Sequence, residues 1–286
     1  MRLATLATTN GPHPAIQVGD FYVDLTATSP VFPPTVRQLL AADQSVRNAA
    51  LDLANRDDAV RVPVAGARLH CPIPDPQKVL CVGLNYRDHA IESGLPIPRE
   101  PVLFSKFPSA LIGHGENIVL PKVSTKVDFE AELIIVVGKK GRPTAATAME
   151  YVAGYSVGHD VSARDWQLEK DGKQWMVGKT FDTFAPIGPV IVTADEVSDI
   201  HALQISLRLN GTTVQNSNTR EMIFSVPQIL AYVGQIMTLE VGDLIFTGTP
   251  PGVGIGRKPP LYLKAGDVCE VEIQGLGVLR NECVAE

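Results

Sequence analysis

The chain has 286 residues, enough for one or two domains with cores of their own, and its 45% hydrophobic and 20% charged residues exclude a disordered polymer. A net charge of −6 lacks the basic footprint of a general nucleic-acid binder. No apolar run approaches the ~18 residues needed to span a bilayer, and residues 1–14 lack the pattern of a secretory signal.

In chain order, residues 1–72 read as a small N-terminal α/β unit. Residues 15–25 have strand-forming composition, with Asp20 at a turn. Thr35 is placed to cap one helix whose apolar face runs through Val36, Leu39, Leu40, Val46, Ala49, Ala50 and Leu53. Pro72, Pro74 and Pro76 favour extended chain, so the boundary to a second unit, residues 73–286, falls there. Beyond it, short strands dominate. Residues 78–82 and 127–137 read as strands, and Asn210-Gly211 within 205–214 is a strong hairpin signal. Ser225 starts a helix with Val226, Ile229, Leu230, Val233, Ile236 and Met237 at helical spacing. Residues 267–284 alternate like strands around Gly275 and Gly277. Many short strands with few helices indicate a β-rich α+β fold. Cys71, Cys81, Cys269 and Cys283 form no CxxC pair, and Cys81, Cys269 and Cys283 read as small core hydrophobes; reduced thiols without a signal peptide lead to the expectation of a cytoplasmic protein.

The segment Val127-Asp128-Phe129-Glu130-Ala131-Glu132-Leu133 puts Glu130 and Glu132 on one strand face. Such a pair suits a solvated face or an oxygen-ligated Mg²⁺, Mn²⁺ or Ca²⁺. The apolar run of residues 133–137 that follows implies a central buried strand, in which carboxylates need partners. Asp160, at the end of another strand-like stretch, is either a third ligand or a helix cap. His159 would point to the opposite face and reads as structural. His89 and Glu92, three apart on a short helix, suit a carboxylate-oriented general base or an ordinary surface pair. Gly83, Gly94, Pro96 and Pro98 bracket that segment as a lid or a plain loop. Lys179 and Lys106 are surface groups or stabilisers of developing negative charge. The Thr247-Gly248-Thr249-Pro250-Pro251-Gly252-Val253-Gly254 loop is no dinucleotide fingerprint, because its prolines leave no room for the following helix. Its N–H groups and Thr249 could bind a small carboxylate.

Six motifs in order, VGLNYRDHAIE, FSKFPSA, VDFEAELIIVVGK, GHDVSARDWQ, GKTFDT and TGTPPGVG, resemble the fumarylacetoacetate hydrolase (FAH) family. SARDWQ, GKQW and RKPP are most similar to its FAH-domain-containing protein 2 branch. The resemblance runs from about residue 78 to the C-terminus. It implies an FAH-type mixed β-roll, usually homodimeric, and a divalent metal, commonly Mg²⁺, on the positions matching Glu130, Glu132 and Asp160. It further implies His89 and Glu92 as catalytic pair, Lys179 beside the metal-bound substrate and Thr249 as a substrate contact. Arg87, Lys106 and Arg164 match substrate-binding or supporting positions, and Asp88 lies near an additional aspartate ligand of full-length members. The implied activity is hydrolytic C–C cleavage of an acylpyruvate-type 2-oxo acid. The alternatives are an oxaloacetate tautomerase or decarboxylase, a 2-hydroxyhepta-2,4-diene-1,7-dioate isomerase, or a non-catalytic small-acid binding protein. Residues 95–101 are expected to form part of the pocket wall.

Overall fold

Ala131–Val137 is apolar at six of its seven positions and buried at all of them, in a computed structural model that describes residues 1–94 and 96–286. Among the described residues this strand lies inside a 12-stranded mixed sheet. It pairs antiparallel with Val152–His159 on one side and with Leu244–Phe246 on the other. Leu244–Phe246 runs parallel to Val79–Gly83, which pairs in turn with Val102–Lys106. The alternation of side chains separates two cores. Leu133, Ile135 and Val137 pack with the five-stranded sheet (Ile205, Leu207, Val271) and the helix Val226–Ile236. Ile134 and Val136 pack with the N-terminal helices through Leu39, Leu40 and Leu53. A strand covered on both faces has no solvated side, so its sequence is a continuous apolar run.

The expected strand over 127–137 is interrupted. Val127–Asp128 pairs with Ser162–Ala163, and pairing with Val152–His159 begins only at Ala131. At the break the N–H of Phe129 donates to Asp128 Oδ1 and the carbonyl of Glu130 accepts from Asp160 N–H. The helix expected after Thr35 is also two helices, Val36–Ala41 and Gln44–Ala54. Thr35 caps the first through the N–H of Gln38 at 3.1 Å. Position 43, one turn beyond Leu40, belongs on the apolar stripe but carries aspartate, and the chain turns extended at Ala42 instead of burying it.

Other expectations hold. Asn210 and Gly211 both have positive φ (52° and 77°) between Gln204–Leu209 and Thr212–Asn218, as a primed hairpin turn requires. Ser225 starts Val226–Ile236, and Gln228 Oε1 accepts from its N–H at 2.8 Å. Val268–Ile273 and Gly277–Ala285 form the final hairpin. The four cysteines are buried free thiols, and burial pushes that of Cys71 up to about 12. The N-terminal strands do not stand apart: Arg2–Thr8 pairs with Ala185–Thr193 and carries Gly11–Val18, Phe21–Asp24 and Arg61–Pro63 onto the main sheet. No described helix is long and apolar enough to cross a membrane.

The pairing brings four strand ends to one edge. Val79–Gly83 and Leu244–Phe246 are parallel and finish together, beside the start of Ala131–Val137 and the end of Val152–His159. The residues following these ends build the site.

Candidate active site

Glu130, Glu132 and Asp160 converge here, with one carboxylate oxygen of each lying within 4.8 Å of the others, all buried. Asp160 N–H donates to the carbonyl of Glu130 at 2.9 Å, which fixes the two backbones. Glu130 Oε1 accepts from Arg164 Nη2 and Oε2 from Lys179 Nζ, each at 2.6 Å. Lys179 Nζ also donates to Asp160 Oδ2 at 2.6 Å, bridging the two carboxylates. Lys106 Nζ lies 2.7 Å from Asp160 Oδ1. Its three protons, however, go to the backbone carbonyls of Val161, Lys179 and Phe184, so Oδ1 gains a neighbouring charge but accepts no hydrogen bond. Glu132 differs: its partner is the N–H of Gly248, 2.7 Å from Oε2, and among the described residues it forms no ion pair, unlike Glu130 and Asp160. Gly248 has φ 99°, and a Cβ there would come within 2.7 Å of the Asn85 Cβ, so glycine is required for this approach.

The electrostatics follow from these partners. Burial alone would raise the Glu130 carboxyl, but Lys179 and Arg164 outweigh it and hold the group well below the usual carboxylate range. Glu132 goes the other way: burial, then repulsion from Asp160 and Glu130, pushes it well above that range. Burial would lower Lys179, yet Asp160 and Glu130 hold its ammonium charged. His159 is buried without a partner on either ring nitrogen; burial, with Lys106 nearby, pushes it down to about 3, so it is neutral and does not line the cavity. Three buried carboxylates, one lacking a counter-charge and another presenting an oxygen with no donor, form an oxygen-only donor set of the kind a hard divalent cation takes. The residues present therefore fit such an ion.

Lys179 compensates two of these charges while only 3% exposed. Lys179→Met should therefore destabilise the cation-free protein by about 3–5 kcal/mol, the usual result of removing one partner of a buried pair. Added Mg²⁺ should recover part of this. Urea unfolding with and without Mg²⁺ measures both.

His89 and Glu92 sit on the helix Arg87–Ser93, which ends at Gly94 with φ 63°. His89 Nδ1 lies 3.3 Å from Glu92 Oε2. Both oxygens of Glu92 accept from Gly252 N–H at 3.0 Å, tying the helix to the 247–256 loop. Asp88 is not part of the carboxylate cluster: Oδ1 accepts from His89 N–H and Oδ2 from Ser217 Oγ, anchoring the helix to the hairpin.

One cavity of about 400 Å³ joins the carboxylates to this pair. Glu130, Glu132, Asp160 and Lys179 line it with His89, Glu92, Arg164 and Thr249; Phe104, Trp175, Leu168 and Ile255 form an apolar wall. Trp175 covers Gly83, where a Cβ would come within 2.6 Å of the indole, and meets Phe104 edge-on at 5.8 Å. Thr249 Oγ1 accepts from Gln215 Nε2 at 2.9 Å, leaving its own proton to donate. Two of the anticipated substrate residues lie elsewhere. Arg87 donates to the carbonyl of Met222 at 3.0 Å and does not reach the cavity, and Lys106 lies behind Asp160. Residues 96–101 do not line the cavity either, and Leu95 lies outside the described residues.

Two further residues brace the site without having been anticipated, Asp128 and Gln215. Asp128 shares the period-two face of Glu130 and Glu132, a signal that was present. Gln215 accepts from Ala131 N–H at 2.8 Å and donates to Thr249 and Pro250; nothing local in the Thr212–Asn218 strand marks it, because the contact depends on how the two sheets pack.

Residues 78–284 match the family model described as fumarylacetoacetate (FAA) hydrolase C-terminal. The chain is 47% identical over 280 residues to human oxaloacetate tautomerase FAHD2A, mitochondrial, covering 96% of this chain and 88% of that one. The fumarylacetoacetate hydrolase of psychrophilic Exiguobacterium antarcticum superposes with a TM-score of 0.84 at 35% identity, covering all of both chains. The maleylpyruvate hydrolase of Sphingobium sp. SYK-6, solved in complex with manganese(II) ion and pyruvate, does so with 0.83 at 30% identity, covering 100% of this chain and 99% of that one. The relatives from cattle, human and Xenopus laevis bear the word mitochondrial in their names, which overturns the expectation of a cytoplasmic protein. That expectation rested on unpaired cysteines and the lack of a secretory signal, and neither distinguishes the cytosol from another reducing compartment. A β-rich α+β fold, an acidic triad at four strand ends, and similarity along nearly the whole chain lead to one conclusion: the protein is an enzyme of the fumarylacetoacetate hydrolase family, on its FAH-domain-containing protein 2 branch.

Proposed function

We propose that the protein interconverts the enol and keto forms of oxaloacetate, and that hydrolytic C–C cleavage, the reading implied by the motifs, is not its main activity. The observation that carries this is a single cavity joining a buried carboxylate centre to a histidine held by a carboxylate, beside an apolar wall. Relatives 47% identical over 280 residues bear the name oxaloacetate tautomerase, which supports the same reading. Tautomerisation needs one proton moved between carbon and oxygen, and no activated water.

Glu92, as carboxylate, takes the hydrogen bond of His89 Nδ1–H, which leaves the Nε2 lone pair as the base. In the keto-to-enol direction His89 Nε2 takes a proton from C3, the electron pair of that C–H bond forms the C2=C3 double bond as the C2=O π pair moves onto O2, and His89 returns the proton to O2. The reverse passage moves the same proton back. Lys179 holds Glu130 and Asp160 in place and sets its positive charge beside the oxygen at which negative charge develops. Thr249 donates to a substrate carboxylate. Phe104, Trp175, Leu168 and Ile255 set apolar surface beside the transfer path. Glu130, Glu132 and Asp160 would hold the divalent ion, which we propose to be Mg²⁺ with Mn²⁺ as substitute; bound there, it supplies Lewis-acid polarisation of the 2-oxo acid. A homodimer is proposed as well, on the family's usual assembly.

The test presents enol-oxaloacetate, keto-oxaloacetate and acetylpyruvate with Mg²⁺ and follows enol loss, CO₂ release and pyruvate formation separately. Accelerated enol loss without CO₂ or pyruvate is the expected result. A higher kcat/KM for acylpyruvate cleavage would return the assignment to hydrolysis, and CO₂ release at the rate of enol loss would make it a decarboxylase.

A further inference from the structure

Asp128 is fully buried and does not line the cavity, yet its carboxylate accepts four hydrogen bonds. Oδ1 accepts from the N–H of Phe129 at 2.8 Å and of Gly254 at 2.6 Å. Oδ2 accepts from Arg164 Nε at 2.7 Å and from the N–H of Ile255 at 3.0 Å. Two parts of the site are therefore seated on one side chain. The guanidinium that Asp128 orients also donates from Nη2 to Glu130, a carboxylate of the centre. The loop that Asp128 seats is the one whose Gly252 N–H holds Glu92, and Glu92 in turn meets His89. The seat is tight: a Cβ on Gly254 would come within 2.5 Å of Asp128 Oδ1 and 1.9 Å of the Leu261 carbonyl.

We propose that Asp128 is a positioning residue that couples the carboxylate centre to the His89–Glu92 pair, so that a cation on the centre and a fixed Glu92 favour one another. This rests on the reading of both as parts of one active site. The coupling runs from Glu130 through Arg164 and Asp128 to Gly254 and Ile255, and along the loop to Gly252 and Glu92. It is reciprocal, as any coupling between two equilibria is. A cation that immobilises Glu130 also immobilises the loop, and a loop held by Glu92 presents Glu130 in its binding position.

The test uses amide exchange at Gly252 and Mg²⁺ calorimetry on the whole chain, neither of which needs turnover. Gly252 is the reporter because its N–H is bonded to Glu92 and not to Asp128. In the parent protein Mg²⁺ should slow its exchange by about 10-fold, the scale of a modest change in local opening. Asp128→Asn keeps the shape but turns an acceptor into an NH₂ group facing donors. It should weaken Mg²⁺ binding by roughly 5- to 10-fold and abolish the Mg²⁺ response of Gly252. Val271→Ala, in the five-stranded sheet, controls for lost stability and should keep that response. Glu92→Gln, at the other end, should also weaken Mg²⁺ binding, and it decides the matter with the parent data if Asp128→Asn does not fold. A parent that binds Mg²⁺ with no change at Gly252, an Asp128→Asn protein that keeps the response, or a Glu92→Gln protein with parental affinity overturns the coupling. Absence of Mg²⁺ binding in the parent removes the centre itself, and with it the coupling. Coupling without turnover of enol-oxaloacetate would refute the proposed reaction and leave the coupling standing.

Discussion

Glu132→Gln should abolish divalent-cation binding and lower turnover by at least ~10³-fold, while leaving the cation-free fold as stable as before or more so. Glu132 is buried, receives one hydrogen bond from Gly248, and faces Asp160 and Glu130 without a cation of its own. Its folded-state carboxyl therefore lies well above the ordinary range, and without a bound ion it retains its proton where an unfolded chain would release it. A glutamine copies the protonated form. The sign follows: a raised folded value gives stability that is present in full below the ordinary carboxylate range and is lost as pH rises toward the folded value. The cation-free parent should lose stability over that window, and Glu132→Gln should show a flatter profile. Thermal unfolding across pH in a chelator gives the slope, and calorimetry with Mg²⁺ or Mn²⁺ gives the binding. Parental Mg²⁺ affinity in this variant would remove Glu132 from the ligand set.

His89→Ala should reduce turnover by roughly 10²–10⁴-fold, the usual contribution of a positioned general base, with cation affinity nearly unchanged. His89 contacts Glu92 and belongs to no part of the carboxylate cluster, so its removal leaves the charges at the strand ends intact. The two variants thus separate the roles: one loses ion and reaction together, the other loses the reaction alone. If the cation by itself performed the tautomerisation, His89→Ala would turn over at the parent rate, and the proton-transfer role would have to pass to another group.

The site was legible in the sequence where it depends on local periodicity. His89 and Glu92 are one helical turn apart, and helix geometry imposes that spacing; Glu130 and Glu132 still converge, although Glu130 lies at the break just before the strand Ala131–Val137. Arg87 and Lys106 were assigned to substrate through motif matching, but both spend their donors on backbone carbonyls, and carbonyls leave no trace in a residue pattern. The same holds for the break at Phe129–Glu130, where the strand exchanges one partner for another. Nor could the N-terminal strands be placed, since Arg2–Thr8 finds its neighbour at Ala185–Thr193, far along the chain. The two helices around Asp43 were readable in principle, because an aspartate on the apolar stripe marks the interruption.

The carboxylates and the base belong to different kinds of structure. The first are built into the ends of buried strands, where each change alters a charge balance enclosed in the core. The second ride on a seven-residue helix fastened at Glu92–Gly252 and Asp88–Ser217. The helix can therefore open at its few fastenings while the strands that carry the carboxylates stay paired.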